Sequence, residues 1–427
     1  MIENSYDVVI IGAGAAGLAA GRKLHDAGKK ILIIEARDRI GGRIHTDYDF
    51  AGTPTELGAE FIHGENAATH ELVKQAGLHV IPVDRYGKLR WAQYSRPALP
   101  LNELPAELRA TITGLFMHYR DLPKHAPLPD VSLGQYLRER GWNEESLKIA
   151  DVLLAQTCCA PLEALSCADL IREMRADHAG KQEFRIQEGY GELLKWYSRD
   201  LPIQLNTSVR DVIWGDSGIT VVTTREDYYA RRCIVTVPVS ILARGSIRFN
   251  PPLSGEKQQA IEAFRTEPAT KLIYRFHEKF WDDDLTFMCH TGLAARWWTP
   301  TYGREGDNTA VIACFATAEK AQILDEQEEN RALTWGLTEL NWLLGTGERD
   351  LRKAAIDSRR VSWGFDAYAR GGYAHLPPGE SSAREVLARP EENILFFAGE
   401  ATAYDTNPQT VHGALESGWR AAKECGA

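Results

Sequence analysis

The 427-residue sequence contains no apolar run of about 18 residues, the length that a helix needs to cross a bilayer. It has no basic excess either, because 49 Lys and Arg stand against 59 Asp and Glu, a formal charge of −10. That balance argues against nucleic acid or an anionic membrane as the main partner. We therefore predict neither partner, and the acidic excess weakly favours the approach of a cationic small molecule.

The seven cysteines form no CxxC pair and no Cys/His spacing of the kind that binds zinc. Cys158 and Cys159 are adjacent, which suits neither an ordinary disulfide nor a metal site. No basic n-region precedes the first apolar segment, so no signal peptide is predicted. We expect reduced thiols, no bound metal and a cytoplasmic location.

The order of apolar segments predicts an α/β protein. Residues 6–35 are predicted to form a strand, a helix and a strand, and residues up to about 180 become mostly helical after two proline-rich passages. Short strands separated by turn signals follow from 203. Residues 269–355 alternate strands with a helix near 325–344, and a last helix begins at about 408.

These changes of pattern predict two interleaved domains. The first is a nucleotide-binding domain, and the second is an α+β domain that holds the substrate. Neither is continuous along the chain. The predicted nucleotide domain comprises 1–85, 186–250 and 356–427, and the predicted substrate domain comprises 86–185 and 251–355.

A glycine-rich turn marks the nucleotide site. "VVIIGAGAAGLAAG" places Gly12, Gly14 and Gly17 in GxGxxG spacing between an apolar strand and an amphipathic helix. Glu35 ends the next strand, where an acid accepts hydrogen bonds from ribose hydroxyls. The helix N-terminus faces the phosphates. The motif predicts dinucleotide binding but does not separate NAD from FAD.

Further motifs carry a resemblance to a known family. They are "EARDRIGGRIHT" (35–46), "ELGAEFIHG" (56–64), "CIVTVPVSIL" (233–242), "FFAGEATA" (396–403) and "NPQTVHGALESGWRAA" (407–422). In this order they resemble the flavin-containing amine oxidases, which include monoamine, polyamine and L-amino acid oxidases and lysine-specific histone demethylases. The resemblance implies a Rossmann-type FAD-binding domain with an interleaved α+β substrate-binding domain.

The same resemblance assigns cofactor contacts. Arg43 offers a cation to the FAD pyrophosphate, Glu400 lies by the ribityl–pyrophosphate region, and the backbone of Val209 meets adenine. The backbone N–H of Val411 faces the flavin C2 carbonyl, at the start of a helix for which we predict Asn407 as N-cap. Other contacts fall on Ala15, Ala36, Arg37, Gly42, Gly58, Ala59, Glu60, Trp363, Gly399 and Thr410.

The strand "EPATKLIYRF" carries Lys271. Alternation alone predicts a solvent-facing lysine, on the face opposite Leu272. In the family, the lysine of this strand points at flavin N5 through one water, so the resemblance implies a catalytic Lys271. It also implies a substrate-facing aromatic ring at Tyr373, a second ring position occupied here by Thr410, and a substrate-side His63.

The resemblance implies FAD-dependent oxidation of a small primary or secondary amine, a class that includes di- and polyamines, with oxygen as acceptor and hydrogen peroxide as product. The FAD is expected to be non-covalent, because Gly372 stands where monoamine oxidases carry the attaching cysteine. Oligomeric state is left open. A distal amine has candidate acids in Glu60, Glu183, Glu188 and Asp405.

Three alternatives stay open at this stage. An L-amino acid oxidase or dehydrogenase needs an arginine for the carboxylate, for which Arg172, Arg296 and Arg370 are unassigned candidates. A flavin-dependent desaturase shares the nucleotide domain without requiring Lys271. A non-catalytic flavin-binding interaction module is the alternative outside enzymes.

Overall fold

The computed structural model describes residues 5–93, 95–125, 130–304, 306–347 and 349–427. A first large sheet is built around Ser5–Ile11, which pairs in parallel with Ile31–Ile34 on one side and Tyr228–Val235 on the other. Val8 to Ile11 are all buried, as expected for a parallel strand covered on both faces. The strand order is Ile203–Gln204, Ile31–Ile34, Ser5–Ile11, Tyr228–Val235, Gly218–Thr223, Val209–Gly215 and Arg248–Asn250, with Leu395–Phe397 also on Tyr228–Val235.

Two helices from opposite ends of the sequence pack against each other beside this sheet. Ala15–Asp26 contacts Val411–Glu424 along most of its length. A Cβ added to Gly418 would lie 2.2 Å from the carbonyl oxygen of Ala16, so only glycine permits this approach. The turn that precedes the first helix is thereby held close to residues near 411.

A second large sheet is mainly antiparallel. Its strand order is Ala355–Ser362, Ala269–Phe276, Ala310–Thr317, Arg296–Trp298, Phe287–Cys289, Leu89–Trp91 and Leu99–Pro100. Ala355–Ser362 pairs with Ala269–Phe276, with Lys271 opposite Val361. The boundary predicted between 355 and 356 falls inside this strand, whose partner Ala269–Phe276 belongs to the predicted substrate domain.

Shorter pairings connect the two sheets. They join Arg265–Thr266 to Ala374–His375, Thr46–Asp47 to Thr55–Glu56, and Glu183–Ile186 to both Ile62–His63 and Val80–Val83. The α-helices are Ala15–Asp26, Thr69–Gln75, Ala106–Arg120, Leu133–Arg138, Glu144–Ala150, Cys167–Ala176, Tyr190–Tyr197, Val239–Ala243, Gly255–Ala263, Ala318–Glu326, Glu329–Leu343, Leu351–Ala354, Ala383–Ala388 and Val411–Glu424. The predicted α/β class is confirmed. Within the described ranges, no helix is both long and apolar enough to cross a membrane.

The helix predicted near 325–344 is present as Glu329–Leu343, and the extended residue Gln327 separates it from a preceding helix, Ala318–Glu326. The prediction for the last helix needs correction. The last helix begins at Val411 rather than near 408. Its N-cap is Thr410, whose hydroxyl accepts a hydrogen bond from the Gly413 N–H, so Asn407 is not the cap.

Candidate active site

A single cavity of about 740 Å³ runs from the glycine-rich turn to the second sheet. Every predicted site residue except Gly17 lines it: Gly12, Gly14, Ala15, Glu35, Ala36, Arg37, Gly42, Arg43, Gly58, Ala59, Glu60, His63, Val209, Lys271, Trp363, Tyr373, Gly399, Glu400, Thr410 and Val411. Gly17 faces the strand instead. A Cβ there would lie 1.9 Å from the Gly12 carbonyl oxygen, so glycine is required for the helix to pack this closely against the turn.

The glycine-rich turn presents an anion site to this cavity. Gly14 is the N-cap of Ala15–Asp26 and offers no side-chain hydrogen bond to the helix, and the first helical turn carries no acidic residue. The first N–H groups of the helix are therefore free to bind an anion, with the helix dipole adding positive charge. This end suits a pyrophosphate.

Glu35 lies where the predicted ribose-binding acid should be. Its Oε2 accepts a hydrogen bond from the Ala13 N–H at 2.7 Å, and its Oε1 accepts one from the Arg37 N–H at 3.0 Å. Each carboxylate oxygen has a further lone pair for a ligand hydroxyl. The two backbone N–H groups thus hold the Glu35 carboxylate in the cavity wall, and the carboxylate can still accept hydrogen bonds from a ligand.

Arg43 and Glu400 form an ion pair in the middle of the cavity. Arg43 Nη1 lies 3.0 Å from Glu400 Oε1 and also donates to the Gly372 carbonyl oxygen. The second carboxylate oxygen of Glu400 is buried without a hydrogen-bond partner. Buried acceptors are seldom left unpaired, so this oxygen fits a hydroxyl donor such as those of the ribityl chain of FAD.

Lys271 lies on the cavity side of the second sheet and is 3% exposed. Its Nζ donates to the Glu56 carbonyl oxygen at 2.8 Å and to Glu60 Oε2 at 3.0 Å. Both faces of its strand are covered, which is why alternation alone misplaces this lysine in solvent. One of its three N–H donors remains for a group in the cavity.

Glu60 is the centre of a buried polar cluster. It accepts hydrogen bonds from Arg185 Nε at 2.9 Å and from the Trp298 indole at 2.9 Å, in addition to Lys271. Burial raises the pKa of Glu60, but the Lys271 ammonium and the Arg185 guanidinium outweigh it and leave the pKa below its usual value. Glu60 is therefore a carboxylate engaged by cations, unsuited to a second amine.

Tyr373 and Thr410, to which the family resemblance assigned the two ring positions, both line the cavity. Tyr373 lies 6.4 Å from Phe315 between ring centroids, and burial raises its pKa to about 12, so its hydroxyl stays neutral. Thr410 uses its hydroxyl to cap the last helix. One aromatic wall is thus present, and the other position is a short polar residue.

His63 joins a second charged group. Its Nδ1 lies 3.0 Å from Glu183 Oε1, and Glu183 is also paired with Arg85. Burial raises the pKa of Glu183, but the Arg85 guanidinium outweighs it, so the pKa is lowered. With 42% of its side chain exposed, His63 borders the open part of the cavity.

The remaining acids proposed for a distal amine are not available to one. Glu188 is bonded to His79 outside the cavity, and Asp405 is exposed and does not line it. Glu173, on the helix Cys167–Ala176, does line it, and burial raises its pKa to about 7. Helical periodicity in the sequence gave no signal for this residue.

Arg296 and Trp298 are further cavity residues that the sequence left unassigned. They stand two apart on Arg296–Trp298, so they share one face of the strand. The sequence "ARWW" shows that alternation, but it does not show which face of the strand is buried. Arg172 is instead paired with Asp169, and Arg370 does not line the cavity.

Comparison with known proteins identifies the family. The family described as flavin containing amine oxidoreductase matches residues 15–426. Polyamine oxidase 2 of Arabidopsis thaliana is 26% identical over 100% of this chain and 89% of its own length. Lysine-specific histone demethylase 2 of Homo sapiens is 28% identical over 99% of this chain, which spans 54% of that relative. Wild-type putrescine oxidase bound to putrescine has the same fold, with a TM-score of 0.84 at 23% identity over 98% of both chains.

The glycine-rich turn, the acid after the second strand and the unpaired Glu400 oxygen fit FAD, which is the cofactor expected from the sequence. The chain belongs to the family of flavin-containing amine oxidoreductases.

Proposed function

We propose that this enzyme oxidises a small primary or secondary amine to an imine, with oxygen as electron acceptor and hydrogen peroxide as second product. The amine loses two electrons and two protons, which oxygen receives. The observation that carries the proposal is the buried Lys271–Glu60 pair at the same cavity as Tyr373 and the start of the last helix. Bound FAD would accept the electron pair from the C–H bond next to nitrogen and pass it on.

The cavity wall favours the reactive form of the substrate. An alkylammonium must lose its proton before its nitrogen can release electrons, and its ordinary pKa is about 10. Phe315, Trp298 and Tyr373 replace water with apolar ring surface, which disfavours the charged form. Their role is to desolvate the amine and hold its carbon toward the Lys271 end.

Lys271 is proposed to act on the oxygen half of the reaction. Its ammonium is fixed by the Glu56 carbonyl oxygen and Glu60, so its remaining N–H is held in a defined direction. A fixed positive donor stabilises negative charge that develops on oxygen, without the reorganisation that water would require.

We propose that the FAD is held without a covalent bond. Gly372 has no nucleophile, and Cys159 lies behind it, with its Sγ 2.6 Å from where a Cβ on Gly372 would stand. Burial raises the pKa of Cys159 to about 12, so the thiol stays protonated and unreactive. All seven cysteines are free and buried, which supports our further proposal of a reducing, cytoplasmic location.

A diamine or polyamine substrate is the second candidate. The polyamine oxidase relatives favour it, and Glu173 is a cavity carboxyl that could receive a distal ammonium. Its raised pKa weakens that interaction at neutral pH, since much of the carboxyl is then protonated.

The experiment is anaerobic titration of the purified yellow protein with separate sets of monoamines, diamines, amino carboxylates and NADH. We expect amines to bleach the flavin absorbance, and admission of oxygen to restore it with one peroxide per turnover. The proposal would be overturned if NADH alone bleached the flavin. It would also be overturned if none of the amines or amino carboxylates did so.

A further inference from the structure

Arg296 carries a buried charge that the protein does not neutralise. The residue is 2% exposed and lines the cavity. Its Nε is buried without a hydrogen-bond partner, and no carboxylate among the described residues lies within ion-pair distance of its guanidinium. Other buried arginines of the protein differ, since Arg85 is paired with Glu183 and Arg384 with Asp169.

An arginine in this position cannot avoid the free-energy cost of burying its charge by losing its proton. The guanidinium keeps its proton in proteins, and an unpaired buried charge is strongly unfavourable. Glu173 can respond differently, because a carboxyl becomes neutral by taking up a proton, and burial raises its pKa to about 7. Of Glu173 and Arg296, Arg296 is therefore the one that requires an opposite charge from the cavity.

The sheet places Arg296 in line with the reacting end of the site. Lys271 is opposite Phe315, and Trp297 is opposite Cys314, so the antiparallel register sets Arg296 level with Phe315. Lys271, Phe315 and Arg296 all line the cavity. Two strand spacings separate Lys271 from Arg296, about 10 Å between backbones. One small molecule can reach from one end of this row to the other.

The other neighbours of Arg296 are not acids. The Phe287 ring centroid lies 5.5 Å from its guanidinium carbon, and Cys289 is its partner on the next strand. Phe315, which is level with Arg296, lies 6.4 Å from Tyr373 between ring centroids. Arg296 and Tyr373 both line the cavity, so the guanidinium and this ring border the same space.

We propose that Arg296 binds a carboxylate carried by the amine substrate, so that the enzyme oxidises amino carboxylates in preference to plain amines. The proposal rests on the amine-oxidising function proposed above and names its substrate class. Arg296 forms a planar, two-pronged hydrogen-bonded pair with the carboxylate, while the amine end lies at Lys271 and Tyr373. Distal amines of diamines would meet the guanidinium as a like charge and be disfavoured.

The first test measures carboxylate binding without turnover. Butyrate and benzoate, which carry no amine, are titrated into the FAD-loaded enzyme while the visible flavin spectrum and the melting temperature are recorded. We expect saturable spectral changes and a raised melting temperature in the wild type and in Arg296→Lys, and neither in Arg296→Gln. Arg90→Gln is the control, because Arg90 belongs to the same sheet two strands away, is paired with Asp282 and lies outside the cavity.

The second test compares small amines with and without a carboxylate. Butylamine, 1,4-diaminobutane, 2-aminobutyrate and 4-aminobutyrate are compared by flavin reduction, and the two amino acids show whether the carboxylate stands next to the oxidised carbon or far from it. We expect one amino carboxylate to be preferred by at least tenfold in kcat/KM. Arg296→Gln should lose that preference mainly through KM and Arg296→Lys should retain part of it.

Stability provides a separate readout. Arg296→Met removes an unpaired buried charge, so the ligand-free holoenzyme should melt at a higher temperature than wild type. A lower melting temperature together with unchanged substrate preference would make Arg296 structural and overturn the proposal. Equal turnover of plain amines and amino carboxylates would also overturn the Arg296 proposal, while the proposed amine oxidase function would stand. If none of these compounds were turned over, the proposed amine oxidase function itself would be rejected.

Discussion

Lys271 and Glu60 form an ion pair with Nζ 3.0 Å from Oε2, and each side chain is only 4% exposed. Removal of Lys271 and removal of Glu60 have different consequences. Without Lys271, Glu60 still receives hydrogen bonds from Arg185 and Trp298. Substitution of the lysine therefore leaves its carboxylate partner compensated, which makes Lys271 the better position for a kinetic test.

Lys271→Met keeps the side-chain length and removes the ammonium. We expect flavin reduction by the amine to slow modestly and reoxidation by oxygen to slow about tenfold or more, which corresponds to a barrier raised by roughly 1.4 kcal/mol. Stopped-flow absorbance of each half-reaction measures the two effects separately. Lys257→Met is a matched control, because Lys257 is also buried but donates to the Val386 and Leu387 carbonyl oxygens away from the cavity. Unchanged rates in both half-reactions of Lys271→Met would remove Lys271 from the mechanism.

Glu35→Gln should weaken FAD retention more than it slows the fully loaded enzyme. The amide supplies one acceptor oxygen in place of two, while the turn requires acceptors for both the Ala13 and the Arg37 N–H groups. Equilibrium dialysis gives the FAD dissociation constant, and turnover is measured at saturating FAD. An unchanged dissociation constant would show that the ribose does not bind there.

His63→Ala should alter substrate handling and leave the flavin bound. Glu183 remains paired with Arg85 after the ring is removed, so the local charge balance survives. If His63 contacts a distal amine, kcat/KM should fall selectively for diamines and polyamines. His79→Ala is the control, since His79 also pairs with a glutamate, Glu188, but lies outside the cavity. Equal losses across all substrates would assign His63 a structural role.

Glu56 should make the stability of the protein depend on pH. Burial raises its pKa to about 7 from an ordinary value of 4.5, so between these values the folded chain holds a proton that the unfolded chain releases. Stability is therefore lost as pH rises through this window, by about 1.4 kcal/mol for each unit of pKa difference. Glu56→Gln does not titrate, and its melting temperature relative to wild type should increase from pH 5 to pH 8. A difference that stays constant over that range would mean that Glu56 is already ionised at pH 5.

Acid or heat denaturation should release all of the yellow colour into the supernatant. Gly372 offers no attachment atom, and the neighbouring Cys159 thiol stays protonated because burial raises its pKa to about 12. The absorbance of the supernatant and of the washed precipitate is compared at the flavin maximum. Colour retained by the precipitate would point to a covalent bond elsewhere in the chain.

The nucleotide end of the site was predictable from the sequence because its determinants are local. Gly12, Gly14 and Glu35 lie within one strand–helix–strand unit, where spacing alone fixes their relation. Lys271 and Glu60 were both identified by the family resemblance. Their contact joins segments 211 residues apart, and no sequence pattern predicted it. Local periodicity shows which side chains lie on the same face of a strand or helix, but it does not show what packs against that face.

The same limit explains why the sequence did not place Arg296 and Glu173 in the site. Arg296 stands in a three-residue strand, too short for alternation to predict its burial. Glu173 stands on an amphipathic helix, where a charged residue ordinarily faces water. In both cases burial is produced by distant segments that close over the cavity, and so by tertiary structure alone.

The close packing of the first and last long helices constrains when the cofactor can be acquired. Gly12 and Val411 line the same cavity, although nearly the whole chain separates them. During synthesis, the early strand–helix–strand unit emerges from the ribosome long before Glu400 and Val411 exist. A growing chain therefore lacks the wall of the pocket that Gly399, Glu400 and residues 407–414 supply until synthesis is almost finished. Full affinity for FAD arises only when the segment around 411 is released and docks, so flavin loading is a late event in the biogenesis of the enzyme.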